Sequence, residues 1–170
     1  TVTPTSGLVT TEAGGAASFS VALDSRPIAD VTIALSSSDA TEGTVSPASL
    51  TFTPATWNVP RIVTVRGVDD DLDDGDVAFT VTLAAASGDP LYDGIAIGPA
   101  SLTTADDDTA GIVVAPTSGL VTTEAGGAAT FTVVLASRPT AAVTVVLSSS
   151  DTTEGVVSRA SLTFTPEDWD

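Results

Sequence analysis

The residues of this chain that could do chemistry are concentrated in one acidic segment. Residues 68–76 read Val-Asp-Asp-Asp-Leu-Asp-Asp-Gly-Asp, which places six carboxylates in nine residues. Like charges about 5 Å apart repel by roughly 3 kcal/mol per pair at an effective dielectric near 20, so a folded turn of this kind needs a counter-charge. Calcium takes about six to eight oxygen ligands in tolerant geometry. The segment therefore predicts a calcium-binding turn, with a solvated acidic loop as the alternative.

A second acidic run and a shortage of basic residues support this prediction. The second run is Asp106-Asp107-Asp108, and the formal net charge of the chain is −17. The chain has no lysine and no histidine, and its basic residues are Arg26, Arg61, Arg66, Arg138 and Arg159. A strongly acidic protein repels nucleic acids and anionic membranes, so neither is an expected partner. Calcium ions are the expected small partners and the expected cofactor.

The composition also limits catalysis. Without histidine, cysteine or lysine, the chain cannot form a Ser-His-Asp or Cys-His nucleophile or a lysine base. A paired-carboxylate hydrolase is conceivable, but the acids form tight clusters and no aromatic-rich sugar cleft is evident. An EF-hand starting at Asp69 fails, because glycine stands at the seventh position and Thr80 replaces the required glutamate. We expect a protein that is not an enzyme.

The chain contains an internal repeat. Residues 4–15 recur as residues 116–127, and residues 1–58 differ from residues 113–170 at 16 of 58 aligned positions. A period near 112 residues is typical of an independent domain rather than of a solenoid unit. We predict a complete repeat over residues 1–112 and the N-terminal half of a second repeat over residues 113–170. Following sequence or another chain is expected to complete this second repeat.

The elements that position the acidic runs are predicted to be β-strands. Phe19, Val21 and Leu23 alternate with Ser18 and Ser20, which is the period of a half-buried strand. About seven such strands, separated by proline and glycine, occur in the first repeat. This pattern predicts an all-β fold, an immunoglobulin-like antiparallel β-sandwich in tandem repeats. The second repeat has counterparts of only the first four strands, so we expect its apolar face to be partly exposed.

Three motifs together resemble the Calx-beta domain family. They are residues 11–15 (Thr-Glu-Ala-Gly-Gly), residues 69–83 from the acidic run through the strand Phe-Thr-Val-Thr-Leu, and residues 106–112. Calx-beta domains are immunoglobulin-like sandwiches that bind calcium at one tip. They occur in sodium–calcium exchangers, in integrin β4 and in large bacterial surface proteins.

The resemblance implies a set of calcium ligands. A further ligand is implied in the loop after the third strand, where Asp39 and Glu42 are both candidates. The implied ligands are Glu12, Asp69, Asp70, Asp71, the backbone carbonyl of Leu72, Asp74, Asp106, Asp107, Asp108 and Glu124. Glu124 is the counterpart of Glu12 in the second repeat.

The leading functional hypothesis is a structural, calcium-binding tandem repeat of an extracellular or cell-surface bacterial adhesin, stalk or filament. Calcium would stiffen the domain tips and junctions, and the partners would be neighbouring copies of the repeat in a linear array or filament. The alternative is a carbohydrate-binding or receptor-binding module of a surface protein. A weaker third option is a cytosolic calcium sensor of the exchanger type.

Overall fold

The computed structural model describes residues 1–170. All of its regular elements are β-strands. The chain divides into two compact units, the first formed by residues 1–70 and 74–107 and the second by residues 71–73 and 108–170. No helical segment has the length and apolarity needed to cross a membrane.

The first unit is built from nine strands in two sheets. One sheet has the order β1-β3-β7-β5 and the other has the order β2-β9-β8-β4-β6. The strands are β1 (Val2–Thr3), β2 (Leu8–Thr11), β3 (Ala16–Val21), β4 (Val31–Ser37), β5 (Gly43–Ser46), β6 (Ser49–Phe52), β7 (Arg61–Gly67), β8 (Val77–Ser87) and β9 (Ala100–Ala105).

Alternation of side chains along the strands places one face of each sheet in the core. In β3 and β7, Phe19 lies opposite Val63 and Ala17 opposite Val65, and the cluster of buried residues joins these side chains to Ile33, Phe52 and others of the second sheet. The predicted all-β, immunoglobulin-like β-sandwich is confirmed. Two short strands, β1 and β5, add to the seven that the pattern predicted.

Strand direction brings the acidic segments to one end of the first unit. Strands β2 and β9 are parallel, and β4 runs in the same direction because both β4 and β9 are antiparallel to β8. Strand β7 is antiparallel to β3, which returns from β2 through a tight turn. The segments that follow β2, β4, β7 and β9 therefore meet at the same end, which we call the acidic tip (residues 12–15, 38–42, 68–70, 74–76 and 106–107).

The second unit contains four short strands in two pairs. These are β10 (Ile112–Ala115) with β11 (Thr132–Leu135), and β12 (Val143–Val146) with β13 (Ser161–Phe164). Equivalent positions of the two repeats differ in burial: Phe19 is 2% exposed, whereas Phe131 is 39% exposed. The physical reason is that β7, β8 and β9 have no counterpart in residues 113–170, so nothing in this unit covers that face.

Candidate metal centre

Glu12 and Asp107 connect two segments of the acidic tip. Glu12 directly follows β2, and its backbone N–H donates to the carbonyl of Ala105 at 3.2 Å. The backbone N–H of Asp107 in turn donates to Oε2 of Glu12 at 3.4 Å. The carboxylate oxygens of Glu12 and Asp107 lie within 4.8 Å of each other, which is close enough for both to bind one metal ion.

Glu12 is buried in a strongly acidic environment. Its side chain is 3% exposed. Burial is the largest cause that raises the pKa of Glu12, from 4.5 to about 7, and repulsion from Asp106, Asp70 and Asp74 acts in the same direction. The hydrogen bond from the Asp107 N–H lowers the pKa and only partly offsets these effects. The ionised carboxylate of Glu12 is therefore destabilised by its surroundings, and a nearby cation would stabilise it.

Glu42 is a second buried carboxylate at the acidic tip. It is 6% exposed, and its Oε2 has no hydrogen-bond partner. Burial raises the pKa of Glu42, and the charges of Asp74, Asp39, Asp70 and Asp106 raise it further. A buried carboxylate oxygen without a donor is unfavourable unless a ligand supplies the missing interaction.

The structure distinguishes the two candidates for the ligand after the third predicted strand. Asp39 accepts hydrogen bonds from the backbone N–H of Thr41 at 3.0 Å and from the Thr41 hydroxyl at 2.5 Å. These bonds lower the pKa of Asp39 and hold its carboxylate within its own turn. Glu42 has an unpartnered oxygen, so it is the better candidate. The signal that could have found it is the Gly43 that follows, because a glycine at a strand start indicates close packing.

The two acidic runs are tied together by hydrogen bonds between their own groups. The backbone N–H of Gly75 donates to Oδ2 of Asp106 at 2.6 Å, and the backbone N–H of Asp106 donates to Oδ1 of Asp76 at 3.2 Å. In the second unit, the N–H of Ala110 donates to Oδ2 of Asp73 at 2.7 Å. The carboxylate of Asp76, which the sequence pattern did not identify as a ligand, thus organises the backbone of the acidic tip, and that of Asp73 organises the backbone within the second unit.

The remaining predicted ligands differ in exposure. Asp69, Asp71 and Asp74 are exposed, whereas Asp70, Leu72, Asp106 and Asp108 are half-buried. The charges of Asp70, Asp74 and Asp106 raise the pKa values of both Glu12 and Glu42, which places these five carboxylates in one electrostatic group. Glu124 is exposed and belongs to no cluster of three or more potential metal ligands.

Two glycines allow close packing at the acidic tip. A Cβ on Gly67 would lie 2.1 Å from the carbonyl oxygen of Thr11, and a Cβ on Gly43 would lie 2.4 Å from the Phe79 ring. Such distances are far inside van der Waals contact. Glycine at both positions therefore lets the segments that carry Glu12, Glu42 and the 68–76 run approach one another.

No family model and no curated protein matches this chain. Among solved structures, it is similar to SSP-19, an MSP-domain protein like family member in Caenorhabditis elegans, with 12% identity, a TM-score of 0.44, and coverage of 62% of this chain and 97% of that one. It is similar to the Escherichia coli chaperone DraB, with 9% identity, a TM-score of 0.46, and coverage of 66% and 57%.

A third similar structure is the CsuC-CsuE chaperone-tip adhesion subunit pre-assembly complex of Acinetobacter baumannii. The identity is 7%, the TM-score is 0.46, and the match covers 99% of this chain and 91% of that one. At these identities the likeness concerns the fold alone.

Proposed function

We propose that this chain is a calcium-binding structural repeat of the Calx-beta type, without enzymatic activity. The observation that carries the proposal is the Oε2 atom of Glu42, which is buried and has no hydrogen-bond partner. It lies in the field of Asp70, Asp74 and Asp106, and this negative environment favours a cation as the missing partner. The chain has no lysine and no histidine to supply that charge. Arg66, an arginine that reaches the acidic tip, donates to the carbonyl of Gly14 at 2.8 Å.

The chemistry of the donor set favours calcium among the available cations. The candidate ligands are carboxylates and backbone carbonyls, which are hard oxygen donors, and no imidazole or thiolate is present to favour a transition metal. Glu12 and Asp107, whose carboxylate oxygens lie within 4.8 Å of each other, would hold an ion together, and Glu42 would bind a cation from a third segment of the acidic tip. An ion bound in this way would neutralise the mutual repulsion of these segments and would fix them relative to one another.

The internal repeat supports a structural role. Residues 1–58 recur as residues 113–170 with 16 differences in 58 positions, and a linear array or filament of such copies would have neighbouring repeats as its partners. Calcium at Asp106–Asp108, where one repeat leads into the next, would stiffen that connection. We place such an array outside the cell or at the bacterial cell surface, where calcium reaches millimolar concentrations and weak sites are filled.

A recess in the first unit favours the alternative function, a ligand-binding module. It encloses about 420 Å³ at the end opposite the acidic tip, and its lining includes Leu23, Tyr92 and Ile97. The Tyr92 hydroxyl already donates to the carbonyl of Ser25 at 2.6 Å, which reduces its capacity to recognise a ligand. Specific binding of a sugar or peptide that is lost when Leu23 is changed to Ser would favour this alternative.

Calcium titration tests the proposal directly. We expect isothermal titration calorimetry to show saturable binding of Ca²⁺ to the intact chain. Thermal unfolding should shift upward by several degrees, because a ligand present at a hundredfold excess over its Kd stabilises the native state by about 2.7 kcal/mol. Identical melting temperatures in Ca²⁺ and in chelator, together with a flat titration, would overturn the proposal.

A further inference from the structure

The carboxylate-bearing segments of the acidic tip meet at one backbone atom. The carbonyl oxygen of Glu42 accepts a hydrogen bond from the Thr104 hydroxyl at 3.0 Å and another from the backbone N–H of Val68 at 3.1 Å. Thr104 lies two residues before Asp106, and Val68 immediately precedes Asp69. The Glu42 carbonyl therefore joins the segment after β4, the start of the 68–76 run and the strand that leads to Asp106.

A buried pair of hydroxyls extends this junction to the segment of Glu12. Thr10 and Thr104 are 0% and 1% exposed, and they are register partners in the parallel pair β2 and β9. Their Oγ1 atoms lie 3.1 Å apart. Because a carbonyl can only accept, the Thr104 proton goes to Glu42, and Thr10 is then the donor to Thr104. The Thr103 carbonyl, at 3.5 Å, is a second and more distant acceptor for the Thr10 hydroxyl. Thr10 stands two residues before Glu12, so all four acidic segments are connected through these two hydroxyls and the Glu42 carbonyl.

Because Thr10 and Thr104 are buried, their two positions favour a side chain that forms a hydrogen bond there. Each hydroxyl lies in a core position where the alternation of β2 and β9 would otherwise place an apolar side chain. A buried hydroxyl is retained in such a position only where it is hydrogen-bonded. Valine would fill the same volume without connecting β9 to the Glu42 carbonyl.

We propose that Thr104, supported by Thr10, is a positioning residue for the cation site, because its hydroxyl sets the Glu42 segment against the segments of Glu12, Asp69 and Asp106. This inference rests on the proposed function. Thr104 does not touch the ion; it acts through the Glu42 backbone. Loss of the hydroxyl should weaken calcium binding while the sandwich remains folded.

The test compares four variants of the intact chain by calorimetric titration with Ca²⁺. Thr104→Val should weaken binding about tenfold, and Thr104→Ser, which keeps the hydroxyl, should restore the affinity to within about twofold. The double variant Thr10→Val with Thr104→Val leaves no unpaired hydroxyl, so its stability in chelator should stay close to that of the parent while its affinity remains about tenfold weaker. Thr122→Val, at the exposed counterpart of Thr10, is the matched control and should change nothing.

Hydrogen exchange of the Val68 amide in chelator gives a readout without metal. Exchange should be faster in Thr104→Val and in the double variant, and unchanged in Thr104→Ser. Equal calcium affinity in the parent and the double variant would overturn the inference, as would a Thr104→Ser variant as weak as Thr104→Val. A parent chain that binds no Ca²⁺ would instead overturn the proposed function, and the exchange measurement would then decide by itself whether Thr104 positions the Glu42 segment.

Discussion

The backbone N–H of Asp107 donates to Oε2 of Glu12 at 3.4 Å, across 95 residues of sequence. This contact joins the turn that follows β2 to the segment that follows β9, the last strand of the first unit. It forms because β2 and β9 are parallel neighbours that end side by side. A carboxylate that follows each strand must therefore lie close to the other, and this geometry underlies the predictions below.

Removal of one charge at the acidic tip should weaken calcium binding. We expect Asp70→Asn and Asp107→Asn each to lower the affinity about tenfold in a calorimetric titration, because an amide oxygen is a weaker ligand for calcium than a carboxylate. Asp24→Asn is the control, since Asp24 is bonded to Thr1 and its counterpart in the second repeat is Ala136. Equal losses in all three variants would indicate a diffuse effect of net charge and no defined site.

Glu42→Gln should have opposite effects on stability and on binding. Burial and repulsion destabilise the Glu42 carboxylate, so its replacement by a neutral amide should raise the melting temperature in chelator. The same change should lower the calcium affinity at least tenfold if Glu42 is a ligand. Glu154→Gln, at the exposed counterpart in the second repeat, should alter neither quantity. A Glu42→Gln variant with parental affinity would remove Glu42 from the site.

The stability of the metal-free protein should fall as the pH rises. The pKa of Glu12 is raised from 4.5 to about 7 in the folded state, so the native protein binds this proton more tightly than the unfolded chain does. Stabilisation by protonated Glu12 is fully present below pH 4.5 and is lost as the pH passes through about 7. Urea unfolding in chelator between pH 5 and pH 8 measures this slope, and Glu12→Gln should flatten it.

The calcium affinity should change with pH in the opposite direction to the metal-free stability. Protons compete with the ion for Glu12, so affinity should increase as the pH rises toward 8. An affinity that is constant over this range, in a protein whose metal-free stability nonetheless varies with pH, would show that Glu12 is not a ligand.

Substitution by alanine should affect stability differently at equivalent glycines of the two repeats. A Cβ on Gly43 would lie 2.4 Å from the Phe79 ring, whereas a Cβ on Gly155 would meet nothing within 4 Å. Gly43→Ala should therefore destabilise the first unit by about 1–3 kcal/mol, and Gly155→Ala should change stability by less than about 0.5 kcal/mol. Chemical unfolding monitored at Trp57 and Trp169 checks both values. Equal effects would contradict the close approach of Phe79 to Gly43.

The sequence by itself determined the fold class and the places where carboxylates gather. Alternation in segments such as residues 18–23 gives strands, and the structure confirms the β-sandwich that they predict. The acidic runs at residues 69–76 and 106–108 could be identified without a structure because charge density is a property of local sequence. The parallel pairing of β2 with β9, which aligns Glu12 with the second run, is a long-range contact that no local pattern encodes.

Only the tertiary structure decided which carboxylates are buried. Asp39 and Glu42 are near neighbours in one loop, yet Asp39 is satisfied by Thr41 while Glu42 has an unpartnered oxygen. Glu12 and Glu124 occupy identical sequence contexts, yet Glu12 is buried and Glu124 is exposed. The physical reason is that burial depends on which strands pack around a residue. The first repeat has β7, β8 and β9 to enclose its acidic tip, and residues 113–170 contain no counterpart of these strands.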